Sequence, residues 1–226
     1  MRKNIILLLC ISVLATLACT KMDDYKKYTN GKEMTYAGKA DSLRAFPGKN
    51  RIKLSWRLVS DPKITKAKIY WNNKADSMEV AIKRTNGVDN IGVILEKMKE
   101  GNYSFEVVTM HDDQIRSVPA YVSGRVYGQN YEVTLLNRGI QSTAYLTNNG
   151  YRMNWGLMEG TALGVDITYE KTNGTVTKYQ VPVTENVTTL TTVKRPSQVY
   201  YRTLFKPDSL SIDTFYSKID TLRLLN

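Results

Sequence analysis

Thiols and imidazoles are nearly missing from this chain, which has two Cys and one His in 226 residues. Two thiols and His111 together cannot supply the four nitrogen or sulfur ligands of a structural zinc site. A Ser-His nucleophile would have to rely on His111 without any Gly-Ser elbow to carry the serine. Gly-rich phosphate loops are absent as well, and no Asp or Glu stands in the local setting of a glycosidase pair. No cofactor, metal or catalytic residue is therefore expected. Asp112-Asp113, beside His111, offers fewer oxygens than the roughly six to eight that calcium takes, so the stretch reads as a hairpin turn with a solvated His111. Long apolar runs are lacking: Ile5 to Leu17 falls short of the roughly 20 residues of a membrane-spanning helix. Phe is scarce, four against fifteen Tyr, which points to half-buried rings with a wet phenol end. Acids are outnumbered 21 to 32 by Lys and Arg, giving a net +11. The basic residues alternate along strand-like segments and form no run, so they read as solvated faces and not as a nucleic-acid site.

The N-terminus supplies the clearest local signal. Met1-Arg2-Lys3-Asn4, a short apolar core and a small residue before Cys19 describe a secretory signal over residues 1–18. Leu17-Ala18-Cys19 resembles the lipobox of bacterial lipoproteins, with Thr16 where that pattern usually has Leu. The resemblance implies acylation of the Cys19 sulfur. Loss of residues 1–18 removes Arg2, Lys3 and Cys10, which leaves a charge of +9 and no possible internal disulfide. Each methylene of an attached lipid contributes about 0.8 kcal/mol of membrane affinity. Residues 19–34 are polar and aperiodic, a tether reaching on the order of 20 Å. Within it, Lys21 and Asp23-Asp24 resemble the acidic export signal of Bacteroidetes surface lipoproteins, which implies the outer membrane with the chain facing the cell exterior.

Beyond the tether the pattern has a period of two. In Arg51 to Trp56, Ile52, Leu54 and Trp56 share one face, and Tyr151, Met153 and Trp155 repeat the arrangement. Tyr70 follows Trp56, and Tyr169 follows Trp155, by fourteen residues in each case. Strands are expected over Tyr36 to Phe46, closed by Pro47-Gly48, then at Trp56, Ile64 to Trp71, Met78 to Ile82, Val88 to Leu95, from Tyr103, and Ile115 to Val126. Val93 to Lys99 has a helical turn as its alternative. Asn72-Asn73-Lys74 and Asn173-Gly174 mark hairpin turns. Tyr103, just past a Gly-containing turn, has the setting of a tyrosine corner. Domain two is expected to begin near Tyr131 and continue through Tyr151 to Trp155, Val165 to Glu170, Lys178 to Val183, Thr188 to Val193, Val199 to Phe205 and Ser211 to Leu225. The strand spacing by itself licenses an all-β sandwich or barrel. With a core Trp on the second strand and Tyr103 on the sixth it resembles the fibronectin type III fold, which implies an all-β chain of two tandem fibronectin type III/immunoglobulin-like sandwiches, expected at 35–127 and 128–226.

Cys19 with Met22-Asp23-Asp24-Tyr25, Asp41-Ser42-Leu43, Pro47 to Arg51, Leu54-Ser55-Trp56, Ile69 to Asn73, Arg116-Ser117-Val118 and Val126-Tyr127-Gly128 together resemble an uncharacterised family of Bacteroidetes outer-membrane lipoproteins. That family has a domain of unknown function and is associated with polysaccharide-utilisation genes. The resemblance implies a glycan-related surface role and transfers no catalytic residue. The expected partners are the outer membrane through the N-terminal lipid and a polysaccharide or proteins of a glycan-uptake complex, with no nucleic acid. Trp56 and Trp155 are assigned to cores. Trp71, with Asn72 and Asn73 after it, is the best candidate ligand-contacting ring, although core packing is the favoured reading for it; Tyr70, Tyr127 and Tyr131 are the other candidate rings. The reading is a non-catalytic glycan-binding or accessory protein. A structural or adhesive spacer is its rival, and an enzyme is the distant alternative.

Overall fold

The computed structural model describes residues 36–158 and 160–225. Cys19, the signal at 1–18 and the tether at 19–34 lie outside the described residues.

The first half contains seven strands: β1 Asp41–Pro47, β2 Ile52–Leu58, β3 Lys66–Trp71, β4 Asp76–Ala81, β5 Asp89–Leu95, β6 Gly101–Met110 and β7 Ala120–Val126. They form a three-stranded sheet in the order β1-β2-β5 and a four-stranded sheet in the order β4-β3-β6-β7, with antiparallel pairing throughout. The alternation of β2 drives this arrangement. Ile52, Leu54, Trp56 and Leu58 are all buried, and each such side chain contributes about 1.5–3 kcal/mol on leaving water. They meet Ala67, Ile69, Phe105 and Val107 from the facing sheet in one core.

The second half repeats the plan with β8 Ile140–Leu146, β9 Gly150–Trp155, β10 Ala162–Glu170, β11 Val176–Pro182, β12 Val187–Leu190, β13 Ser197–Phe205, β14 Phe215–Tyr216 and β15 Asp220–Leu224. One sheet runs β12-β9-β8. The other runs β11-β10-β13, with β14 and β15 both paired to β13. The last strand is thus one strand in two pieces. The break at 217–219 is filled by Asn137, which accepts from the Ser217 hydroxyl at 2.6 Å and donates to the Lys218 carbonyl at 2.8 Å. Strand for strand, the two halves have the same order, a three-plus-four sandwich of fibronectin type III type. The cores remain distinct, the second gathering Met153, Trp155, Val165, Ile167, Val181 and Val199.

Several sequence expectations shift. The first strand begins at Asp41 and ends on Pro47, after an irregular stretch in which Ala37 and Ala40 are already buried. Val93–Leu95 continues β5, and the left-handed backbone at Lys97 (φ 57) excludes a helical turn there. Tyr131 lies in a single helical turn, Gln129–Glu132, and the second sandwich's first strand starts at Ile140. The shared fourteen-residue spacing is not a structural equivalence. Ile69 points inward thirteen residues after Trp56 and Ile167 twelve after Trp155, so Tyr70 faces out while Tyr169 faces in. The second copy has one residue fewer between those strands. At Asn173-Gly174 only Gly174 has a positive φ, 83°, and the turn is closed by Gly174 N–H donating to Lys171 O at 2.9 Å.

The tyrosine corner forms. Tyr103 Oη donates to the Lys99 carbonyl at 2.9 Å, and the ring stacks on Phe105. His111 is not simply solvated: it is mostly buried and its Nε2 lies 2.6 Å from Asp61 Oδ2. The Asp61 carboxylate also accepts Gly38 N–H at 2.7 Å, and these bonds hold its pKa below the ordinary value despite burial. Asp112 closes the turn as expected, its Oδ1 accepting from the Gln114 and Ile115 amides at 2.8 and 3.0 Å.

Candidate functional site

The outward face of β11, β10, β13 and β15 carries a concavity in the second sandwich. Alternation puts Val165, Ile167 and Tyr169 of β10, and Val199 and Tyr201 of β13, into the core. Their sequence neighbours therefore point to solvent. Register then brings Gln180, Asp166 and Arg202 side by side in one row and Lys178, Thr168, Tyr200 and Thr221 in the next. Between these rows lies a groove of about 470 Å³. A second hollow of about 290 Å³ shares Thr168 and Tyr200 with it and extends toward Glu170, Gln198 and Pro196. Tyr200 stands between the two, 43% exposed.

Its polar groups are held before any ligand arrives. Tyr200 Oη donates to Gln198 Oε1 at 2.5 Å. Arg202 lies over the Tyr216 ring at 3.8 Å from its centroid and approaches Asp166 Oδ2 at 3.6 Å, so its fork is fixed by stacking and charge together. Below the groove Tyr201 donates to Asp220 Oδ2 at 3.0 Å, and burial, with that bond, pushes its phenol up to about 12. At the rim Tyr179 donates to Glu185 Oε2 at 2.9 Å, which also raises its pKa. At neutral pH the Tyr201 and Tyr179 phenols are therefore donors. The groove presents two exposed rings, Tyr200 and Tyr179, with amide, hydroxyl, carboxylate and cationic groups beside them, a set suited to hydrogen-bonding a polyhydroxylated ligand. Among the described residues no three His, Cys, Asp or Glu side chains gather as a metal site.

The residues singled out from the sequence lie elsewhere. Trp71, at the end of β3, is half-buried and packs against the first core. Tyr70, its neighbour, faces outward beneath Lys68 and Lys74 at 5.3 and 5.6 Å. Beside Tyr70 in register is Glu106, which is paired to Lys74 at 2.8 Å. Tyr127 and Tyr131 are brought together, ring centroids 4.7 Å apart, and both pack edge-on to the buried Phe215. They belong to the junction between the sandwiches. There Arg51 grips Asp213 through Nε and Nη2 at 3.0 and 2.6 Å, and Ile212 N–H donates to Pro47 O at 2.7 Å. Glu100 accepts the Asn130 and Tyr131 amides at 2.8 and 2.9 Å. Sequence reading missed Asp166, Thr168, Lys178, Gln180, Tyr200 and Arg202. The available signal was phase: in Val199-Tyr200-Tyr201-Arg202 the tyrosine out of step with the core had to be bare.

These sheets define a tandem fibronectin type III-like β-sandwich protein. The chain belongs to the DUF4998 family, described as a domain of unknown function, which it matches over residues 19–215. No curated protein matches it. Solved structures with some likeness include a two fibronectin type-III domain segment from chicken tenascin, 16% identical, covering 83% of this chain and 99% of that one at a TM-score of 0.33. Chicken CNTN1 FN1-FN3 domains are 11% identical, with coverage of 86% and 67% and a TM-score of 0.41.

Proposed function

We propose that this protein is a lipid-anchored component of the outer membrane, facing the cell exterior, that binds polysaccharide without catalysis as an accessory to a glycan-uptake system. The carrying observation is the groove around Tyr200. Its exposed ring offers an apolar surface to the C–H face of a sugar, and the rows on either side offer fixed donors and acceptors to hydroxyls. The two hollows that meet at Tyr200 suit a chain of sugars more than a single one. Asp166 stands beside Arg202, its cross-strand neighbour, at 3.6 Å. For the anchor, support comes from the lipobox-like Leu17-Ala18-Cys19 and from the family match, which begins at Cys19. No helix among the described residues is long and apolar enough to cross a membrane.

A polysaccharide panel titrated against the full chain in detergent tests the binding reading. At least one polysaccharide should bind, and Tyr200→Ala should weaken it about tenfold or more, in line with loss of one well-placed aromatic contact. Unchanged binding in that variant, or no binder at all, removes the reading. Cys19→Ser should abolish fatty-acid labelling and release the protein from membranes; persistence of both overturns the anchor. The second reading, a rigid spacer, is favoured by the Arg51–Asp213 clasp and the Tyr127, Tyr131 and Phe215 cluster.

A further inference from the structure

We propose that the free edge of β8 is a strand-addition site for an acidic, extended segment of another protein. Among the described residues β8 is terminal in its sheet and pairs with β9 alone. Among the described residues no backbone hydrogen bond outside that ladder reaches Ile140–Leu146. Five of its seven residues are exposed. An uncovered row of amides and carbonyls is a template for another strand, and proteins usually guard such edges with charge, proline or a covering segment.

The other edge strands carry those guards, except the four-residue β12 and the two-residue β14, which are guarded by their shortness. Every other edge strand longer than four residues contains a charged residue, a proline or both: β1, β4, β5, β7, β11 and β15. β1, the counterpart of β8, has Asp41 tied to Arg57 at 2.7 Å, a bulge between Asp41 and Arg44, and Pro47 at its end. It is also covered by β7, which approaches so closely at Gly124 that a Cβ there would lie 2.8 Å from the Ala45 Cβ and 2.6 Å from the Ile52 Cδ1. β8 reads Ile-Gln-Ser-Thr-Ala-Tyr-Leu, with neither charge nor proline. Its bulge, between Ile140 and Ser142, leaves Ser142 to Leu146 in regular register. Tyr145, on the core side of the strand, remains 46% exposed. Added backbone would extend the ladder, and an apolar side chain on it would cover that ring.

Charge selects the occupant. No Asp or Glu occurs from Val133 to Met158. Arg152 stands on β9 directly across from Ala144, and the Arg195 guanidinium lies 4.6 Å from the Tyr145 ring centroid. A second copy of this chain, at +9 once residues 1–18 are lost, would bring net positive charge toward a basic surface, whereas an acidic strand is drawn to it. The incoming segment therefore alternates acidic residues, facing Arg152, with β-branched or aromatic residues facing Tyr145.

The test uses a labelled synthetic nonapeptide alternating glutamate with valine and the full chain in detergent. Binding by fluorescence anisotropy, weakened by salt, with slowed amide exchange confined to residues 140–146, is the expected result. The same peptide with N-methylated valines, or with lysine in place of glutamate, should bind at least tenfold more weakly. Ala144→Glu, at an exposed position, should weaken binding by a similar factor while Ala144→Ser leaves it intact. Equal binding of the N-methylated or lysine peptide, protection elsewhere, or concentration-dependent dimers that protect 140–146 without peptide would each overturn the proposal.

Discussion

The two sandwiches share a strand order and differ in how they are locked. The first fixes the start of β6 with the tyrosine corner at Tyr103. No tyrosine opens the matching β13, whose Ser197 hydroxyl donates to the Lys194 carbonyl at 2.5 Å instead. The second sandwich relies on Arg138, which is 4% exposed. Its guanidinium donates to Gly156 O and Glu185 O at 2.8 Å each and to Asn186 Oδ1 at 3.0 Å, and burial lowers its pKa. The central tryptophans differ too. Trp155 Nε1 donates to Thr188 Oγ1 at 2.9 Å, whereas Trp56 Nε1 has no hydrogen-bond partner among the described residues. One inward alternation suffices to specify the architecture, and the polar fastenings around it are free to diverge.

Four experiments break or sharpen that comparison, in falling order of effect. Trp56→Ala and Trp155→Ala should each cost about 3–5 kcal/mol, seen in chemical denaturation as loss of the sandwich that contains the residue. Arg138→Ala, which strips three acceptors of their donor, should cost about 3 kcal/mol and melt the second sandwich first. Tyr103→Phe, which deletes one hydroxyl bond in the first, should cost about 1 kcal/mol. A similar gap of about 1 kcal/mol should separate Trp155→Phe from Trp56→Phe, because only the former breaks an existing bond. A reversed order in either pair would mean that the fastenings have been assigned to the wrong sandwich.

The smallest expected effect concerns the junction. The Arg51 guanidinium and the Lys49 amide hold the Asp213 carboxyl below the usual carboxylate range, against a smaller push from burial. A depressed pKa stabilises above the ordinary value of 3.8, and that contribution is lost as pH falls through the lower folded-state value. Arg51 is about one-third exposed, so solvent screening keeps the effect near or below ~1 kcal/mol. Denaturation at pH 7 should show the sandwiches more tightly coupled than at pH 3. Arg51→Ala should reproduce the acid behaviour at pH 7 and remove the difference.

Much of this arrangement was legible in the chain because burial repeats every second residue. The strands at Trp56, Trp155, Ile69 and Phe105 follow from that period, as does the corner at Tyr103. β8 was not legible: Gln141, Ser142, Thr143 and Ala144 carry no apolar alternation, since an edge strand that faces water on most sides has little to bury. Its one cue was the Asn148-Asn149-Gly150 turn ahead of β9, with Asn148 and Asn149 at positive φ. The groove was hidden for a related reason. Asp166, Gln180 and Arg202 are far apart in sequence, and only pairing across β11, β10 and β13 makes them neighbours.

By itself the sequence determined the all-β class, the duplication and the two tryptophan-centred cores, because each depends on local alternation and on residues that must leave water. Tertiary structure alone decided which polar residues share a surface, which rings are bare, and which edge is uncovered. Those properties depend on cross-strand register and on what packs beside each strand, and no window of consecutive residues contains them.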